Sequence, residues 1–340
     1  MSDRAAVTGS VGTAGEPLLR VKGLETHFHV GGMVAGAVSG VSFDIMRNEV
    51  LGIVGESGSG KSVAALSLIR LIPDPPGRIA AGEVLYGGRD LLKIPIEDVR
   101  KIRGREIAMI FQEPMTSLNP VFTIGMQVME PLLFHFKLRK QEAFEKAVEA
   151  MERVGIPDAR RRMDDYPHQF SGGMRQRVMI AMSLVCNPAI LIADEPTTAL
   201  DVTIQAQVLE LMLDLQKKRE GAAVVLITHD LAVIAEMCHR VLVMYGGKIQ
   251  EEAEVVELFE RPMHPYTKGL MESIPHVQDK GKRLSTIRGN VPSIFDLPQG
   301  CKFCTRCPVV EDRCWTVEPE LREVSPGHRV RCHLVEGTPV

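Results

Sequence analysis

Eight residues, GESGSGKS at positions 55–62, combine types and spacing suited to holding phosphate. Gly55, Gly58 and Gly60 let backbone N–H groups curl around phosphate oxygens with no Cβ in the way. Lys61 can reach the β- and γ-phosphates of a nucleotide, and the Ser62 hydroxyl can ligate Mg2+. A second group, LIADEP at 191–196, puts Asp194 and Glu195 side by side at the end of an apolar run. Adjacent carboxylates near a polyanion are unfavourable unless a cation or a reaction justifies them. Asp194 suits Mg2+, directly or through water, and Glu195 can polarise a water aimed at the γ-phosphate.

These residues need elements that hold them in place. EVLGIVG (49–55) is a near-continuous apolar run ending in glycine, as expected for a buried parallel strand, and the helical run VAALSLIRLI follows the phosphate-binding stretch. The N-terminus of that helix brings a positive dipole end to the phosphates. AILIADEP (189–196) and AAVVLITHD (222–230) read as two further buried strands, with a helical stretch at 203–219 between them. Residues 141–154 show helical spacing of Phe144, Val148, Met151 and Val154, and GEVLYGGRDL (82–91) reads as an edge strand beside a Gly-Gly turn. Strands alternating with helices imply an α/β fold with a mainly parallel sheet, which places ligands at strand C-termini.

Composition sets the bounds. The 340 residues are 45% apolar and 24% charged, ordinary for a globular chain with a full core. A formal net charge of -3 gives no electrostatic case for a nucleic-acid partner. Residues 1–17 are small, polar and Gly-rich without an apolar core, so they read as a disordered tail and not a signal peptide. No apolar run approaches the ~20 residues that span a bilayer, and a cytosolic setting is expected.

FSGGMRQR (170–177), Gln112 in IFQEP, ALD at 199–201 and His229 in LITHD complete a set of five motifs with the two above. Over residues 18–260 the chain resembles an ABC-transporter ATPase subunit. That resemblance implies a P-loop ABC ATPase domain with a RecA-like parallel-sheet core, an antiparallel β subdomain and a helical subdomain at about 113–185. It implies ATP and Mg2+ as ligands, with ATP touched by Gly55, Glu56, Ser57, Gly58, Ser59, Gly60, Lys61, Ser62 and Val63. Phe28 would stack on adenine or serve as core. Ser62, Gln112 and Asp194 would attend Mg2+, and Glu195, His229 and Gln112 would serve hydrolysis. Ser171, Gly172, Gly173 and Met174 would meet the ATP of a second subunit, and Asp201 would couple the two sites. Phe170 stands where the family often has Leu.

The C-terminal stretches HPYTKGLMESIP (264–275) and GNVPSIFDLPQGC (289–301) narrow the resemblance to ATP-binding subunits of bacterial dipeptide/oligopeptide permeases. The implied partners are a second, non-identical ATPase subunit, two integral membrane permease subunits and, indirectly, an extracytoplasmic peptide-binding protein. The implied location is the cytoplasmic face of the inner membrane, as a peripheral subunit. The same subfamily serves nickel, glutathione and other small solutes, and ABC ATPases outside transport exist; the latter usually carry fused cassettes or coiled-coil insertions.

Five of the seven cysteines crowd into the tail, at 301, 304, 307, 314 and 332. Clustered thiols in a reducing compartment suggest metal, and the spacing at 301–308 resembles the start of a ferredoxin run. The permease resemblance instead implies a [4Fe–4S] cluster on Cys301, Cys307, Cys314 and Cys332, with Zn2+ or free thiols as alternatives. Each of the four has a basic neighbour, Lys302, Arg306, Arg313 or Arg331, able to offset thiolate charge. Regular alternation fades past residue 260, so 261–340 is expected to be an irregular, Cys-rich extension stapled by metal and cored separately from the nucleotide motifs.

Overall fold

The computed structural model describes residues 15–112, 117–197, 202–273 and 286–339. Its strands are β1 (Leu19–Val30), β2 (Met33–Ile45), β3 (Val50–Val54), β4 (Gly77–Tyr86), β5 (Arg89–Asp90), β6 (Ile107–Ile110), β7 (Ile190–Asp194), β8 (Ala223–Ile227), β9 (Arg240–Tyr245), β10 (Lys248–Glu254), β11 (Arg322–Ser325), β12 (His328–Val330) and β13 (Thr338–Pro339). They form two sheets. The larger has the order β13-β11-β12-β10-β9-β3-β8-β7-β6, and the smaller, antiparallel one has the order β2-β1-β4-β5.

In the large sheet β6, β7, β8, β3 and β9 run parallel, and pairing turns antiparallel from β10 outward. β3, β7 and β8 are buried along their whole length. Their alternate side chains feed two cores, as the strand period of two requires. Leu51, Ile53, Ile190, Ile192, Val225 and Ile227 point to one core. Val50, Val54, Leu191, Ala193, Val224 and Leu226 point to the other. This two-sided burial explains why these strands read as unbroken apolar runs.

The helix Lys61–Leu68 lies in the first core, where Ala64, Ala65 and Leu68 meet Leu19, Val21, Val38 and Ile45 of the small sheet. The second core takes the helices Ile124–Phe136, Lys140–Arg153 and Gly172–Leu184. The helix read at 141–154 therefore forms within one residue of its expected limits. The stretch expected as an edge strand does not lie at an edge: β4 pairs with β1 on one side and with the two-residue β5 on the other.

The region after residue 260 departs most from expectation. It is not irregular throughout. A helix forms at Pro265–Glu272, and β11, β12 and β13 extend the large sheet beyond β10. These strands have only two to four residues each, mostly polar, too short for a periodic signal. Nor is this region cored separately. Cys301, Phe303, Cys304 and Cys314 are buried in the same core as Val54, Val243 and Tyr245.

Candidate functional site

Residues 55–60 turn from β3 into the helix that starts at Lys61. Two glycines there are required by geometry. Gly55 has φ 150° and a Cβ on it would lie 2.2 Å from the Met244 carbonyl oxygen; Gly60 has φ 99° and a Cβ would lie 2.4 Å from that of Ala37. The turn is thereby pressed against β9 and β2. Ser57 and Gly58 face solvent, Ser59 is buried, and Val63 is half-buried in the first helical turn. Lys61 Nζ donates to the carbonyls of Gly55 (2.8 Å) and Glu56 (2.9 Å), closing the loop on itself. Burial lowers the Lys61 pKa, against the opposing pull of Glu195, Asp194 and Glu56.

Asp194 ends β7 beside this loop and accepts from the Ser62 hydroxyl at 3.0 Å. Burial raises its pKa, partly countered by the Ser62 hydrogen bond. Glu195 follows with φ 46°, a left-handed conformation that is rare for a residue with a side chain and that turns the chain sharply off the strand end. Its amide donates to the Ile227 carbonyl at 2.9 Å. Its carboxylate accepts from Gln112 Nε2 at 3.1 Å and lies 3.6 Å from His229 Nδ1. Gln112 follows β6 and His229 follows β8, so three neighbouring strands converge on one carboxylate. Gln112 and His229 are solvent-exposed while Glu195 is half-buried. A hydroxyl and a buried carboxylate form an all-oxygen set, which suits a hard cation such as Mg2+.

Ser171 caps the helix Gly172–Leu184, its Oγ accepting from Met174 N at 3.3 Å. Ser171 and Gly172 are exposed, and a Cβ on Gly172 would meet nothing within 4 Å. Phe170 is buried and anchors the start of this helix in the core, with the Arg162 guanidinium over its ring. Farther along the helix, the buried Gln176 side chain donates to the Pro196 carbonyl, linking it to the segment after Glu195. Phe28 is half-buried on β1, opposite Ala35 of β2 and Gly77 of β4, near the part of β2 that abuts Gly60. Asp201 lies outside the described residues.

All seven cysteines are free thiols, and among the described residues no group of three or more His, Cys, Asp or Glu side chains is arranged to hold a metal ion. The expectation that Cys301, Cys307, Cys314 and Cys332 hold a [4Fe–4S] cluster or Zn2+ therefore gains no support. Burial pushes the Cys301 thiol up to about 12, and burial likewise raises Cys304, Cys307 and Cys332, favouring neutral thiols. The basic neighbours are occupied elsewhere. Lys302 donates to the Pro298 carbonyl, Arg313 to Glu311 and the His333 carbonyl, and Arg331 to the Ile249 and Pro319 carbonyls. Arg306 pairs with Glu56 in the phosphate-binding loop, and Tyr266 also contacts that residue. Sequence reasoning named neither as a site residue, although both lie in stretches it singled out.

A glycine-turned loop between a buried strand and a helix, with an Asp-Glu pair on a nearby strand, defines a P-loop nucleotide-binding protein. Residues 38–198 match the family described as ABC transporter, and residues 250–314 match the oligopeptide/dipeptide transporter C-terminal region. The oligopeptide transport ATP-binding protein AppD of Bacillus subtilis is 51% identical over 94% of this chain and 97% of its own length. The dipeptide transport ATP-binding protein DppD of Escherichia coli is 48% identical over 93% and 96%. Among solved structures, the ATP-binding cassette MJ0796 in a dimeric post-hydrolysis state bound to ADP and Pi aligns with a TM-score of 0.63 and 28% identity, covering 70% of this chain and 98% of that one. The chain belongs to the ABC transporter family, as an ATP-binding, ATP-hydrolysing subunit. Among the described residues no helix is long and apolar enough to cross a membrane.

Proposed function

We propose that this subunit energises import of di- or oligopeptides across the cytoplasmic membrane. It would work from the cytoplasmic face with a second, non-identical ATPase subunit and two membrane permease subunits, served by an extracytoplasmic binding protein. One observation carries the peptide reading: the stretch matching the oligopeptide/dipeptide transporter C-terminal region packs into the same core as the strand leading to the phosphate-binding loop. We take 18–260 as the ATPase unit, with a helical part at about 113–185, and 261–340 as a permease-specific addition.

In this reading the amides of residues 57–62 and Lys61 hold the ATP phosphates, and Phe28 and Val63 flank the nucleotide. Ser62 and Asp194 would hold Mg2+ with Gln112 nearby, and the cation would neutralise charge on the β- and γ-phosphates. Glu195 orients the attacking water, with Gln112 and His229 fixing its carboxylate from either side. Phosphoryl transfer depends chiefly on such positioning and charge compensation. Ser171 and Gly172 are exposed and Gly173 and Met174 half-buried beside them; together they would meet ATP on a second subunit, and Asp201 would couple the two sites. Uptake of a labelled tripeptide by cells lacking this chain tests the reading. Wild type should restore uptake and Lys61→Ala should not; undiminished uptake in the deletion strain, with no rival peptide importer present, would refute it.

A further inference from the structure

Glu56, the second residue of the phosphate-binding loop, is held at three points. Its carbonyl accepts from Lys61, as described. Its amide donates to the Tyr266 hydroxyl at 2.8 Å. Its carboxylate accepts two hydrogen bonds from Arg306, at 2.6 and 3.1 Å. Tyr266 and Arg306 stand 210 and 250 residues farther along the chain. Both are firmly seated. Tyr266 is fully buried and packs against Tyr245 and Phe303, with ring centroids 4.8 and 5.2 Å away. The Arg306 side chain is only 4% exposed, lies over the Tyr245 ring and donates to the Arg288 carbonyl at 3.0 Å. Tight turns present it: Cys304 N donates to the Cys301 carbonyl and Arg306 N to that of Phe303.

This arrangement has an electrostatic consequence. A carboxylate within a loop that binds polyphosphate opposes its ligand, and the cost rises with the ligand's charge. A buried, bidentate arginine cancels that charge and fixes the loop's first turn before nucleotide arrives. Because Tyr266 occupies the Glu56 amide, the donors left for phosphate begin at Ser57.

We propose that Arg306 and Tyr266 are positioning residues of the nucleotide site, so that the cysteine-bearing turn serves as a bracket that neutralises and orients Glu56. The inference rests on the reading of residues 55–62 as the ATP site and adds the C-terminal region to it.

Equilibrium binding of Mg-ATP and Mg-ADP to the full chain tests this, with unfolding of the nucleotide-free protein measured alongside. Arg306→Gln leaves Glu56 unpaired and should bind ATP about tenfold more weakly, with a smaller loss for ADP. Adding Glu56→Gln removes the uncompensated charge and should recover most of the ATP affinity, which a purely structural role would not do. Unchanged affinity in Arg306→Gln overturns the proposal, and so does an equal loss for ATP and ADP that the second substitution leaves in place. Should Arg306→Gln not fold, Tyr266→Phe decides: ATP binding about threefold weaker supports the proposal, and wild-type affinity overturns it. Lys61→Ala tests the underlying reading separately. If it abolishes binding while Arg306→Gln and Tyr266→Phe bind as wild type, the ATP site stands and the bracket falls.

Discussion

The phosphate-binding half of the molecule and the region after residue 260 solve the same problem by different means. In the first, apolar strands buried on both faces bring Asp194, Glu195, Gln112 and His229 together at or just past their C-terminal ends, and the glycine turn after β3 swings Ser62 onto Asp194. In the second, short polar strands and turns are fastened by individual contacts. Glu251 accepts from the amides of Met263 and His264 and lies against His328, and Phe303 plugs into the aromatic group of Tyr245 and Tyr266. A sheet positions a site through periodicity; an edge addition positions it through a few specific residues. Single substitutions should therefore propagate differently in the two regions.

The largest effect on stability is expected from Phe303→Ala. Phe303 is 1% exposed in the core that also holds β3 and β9, so its loss should cost about 3–5 kcal/mol. Unfolding in urea should remain one cooperative transition with a lower midpoint. Two transitions, only one of them shifted, would show that the regions are cored apart.

Two histidines of the C-terminal region should give stability a pH dependence of opposite signs. His264 is buried, which lowers its pKa to about 4. A lowered value in a base favours the neutral form, so its contribution is full above the ordinary 6.5 and is lost as pH falls toward 4. This should amount to about 3 kcal/mol. Burial opposes protonation of His328, but hydrogen bonds to Glu251 and Glu257 outweigh it and raise its pKa. Its contribution is full below 6.5 and is lost as pH rises through the raised value. In His328→Gln the decline on the alkaline side should flatten while the acid decline persists. Urea midpoints across pH would check both, and an unchanged alkaline limb would remove His328 from the account.

A smaller effect separates the cysteines. Cys304 is 2% exposed and packs in the core, whereas Cys307 is half-buried. Cys304→Ser should lower stability by about 1 kcal/mol and Cys307→Ser by less. The permease spacing leaves Cys304 out of the implied ligand set, yet its burial makes it the costlier of the two to replace.

Much of the fold was legible where burial is two-sided. β3, β7 and β8 announce themselves as apolar runs, and the Gly-rich turn and the Asp-Glu pair follow from the chemistry of phosphate and Mg2+. What was not legible depends on contacts distant in sequence. Nothing local marks Arg306 as a partner of Glu56, because its neighbours Cys304 and Cys307 suggest a metal loop. β12 gains its order from β10, far earlier in the chain, and β11 in turn from β12, not from their own pattern. The cysteines show the same limit: their spacing suggests a metal loop, yet among the described residues no group of His, Cys, Asp or Glu side chains is arranged to hold a metal ion.

The central claim is that three strand ends converge on Glu195 to orient water for ATP hydrolysis, while the loop at 55–62 holds the nucleotide. Its most direct test compares Mg-ATP affinity and steady-state hydrolysis in wild type and Glu195→Gln, assembled with the partner subunits. The account predicts affinity within about twofold of wild type and turnover lowered at least about 100-fold. Turnover near wild type would contradict it.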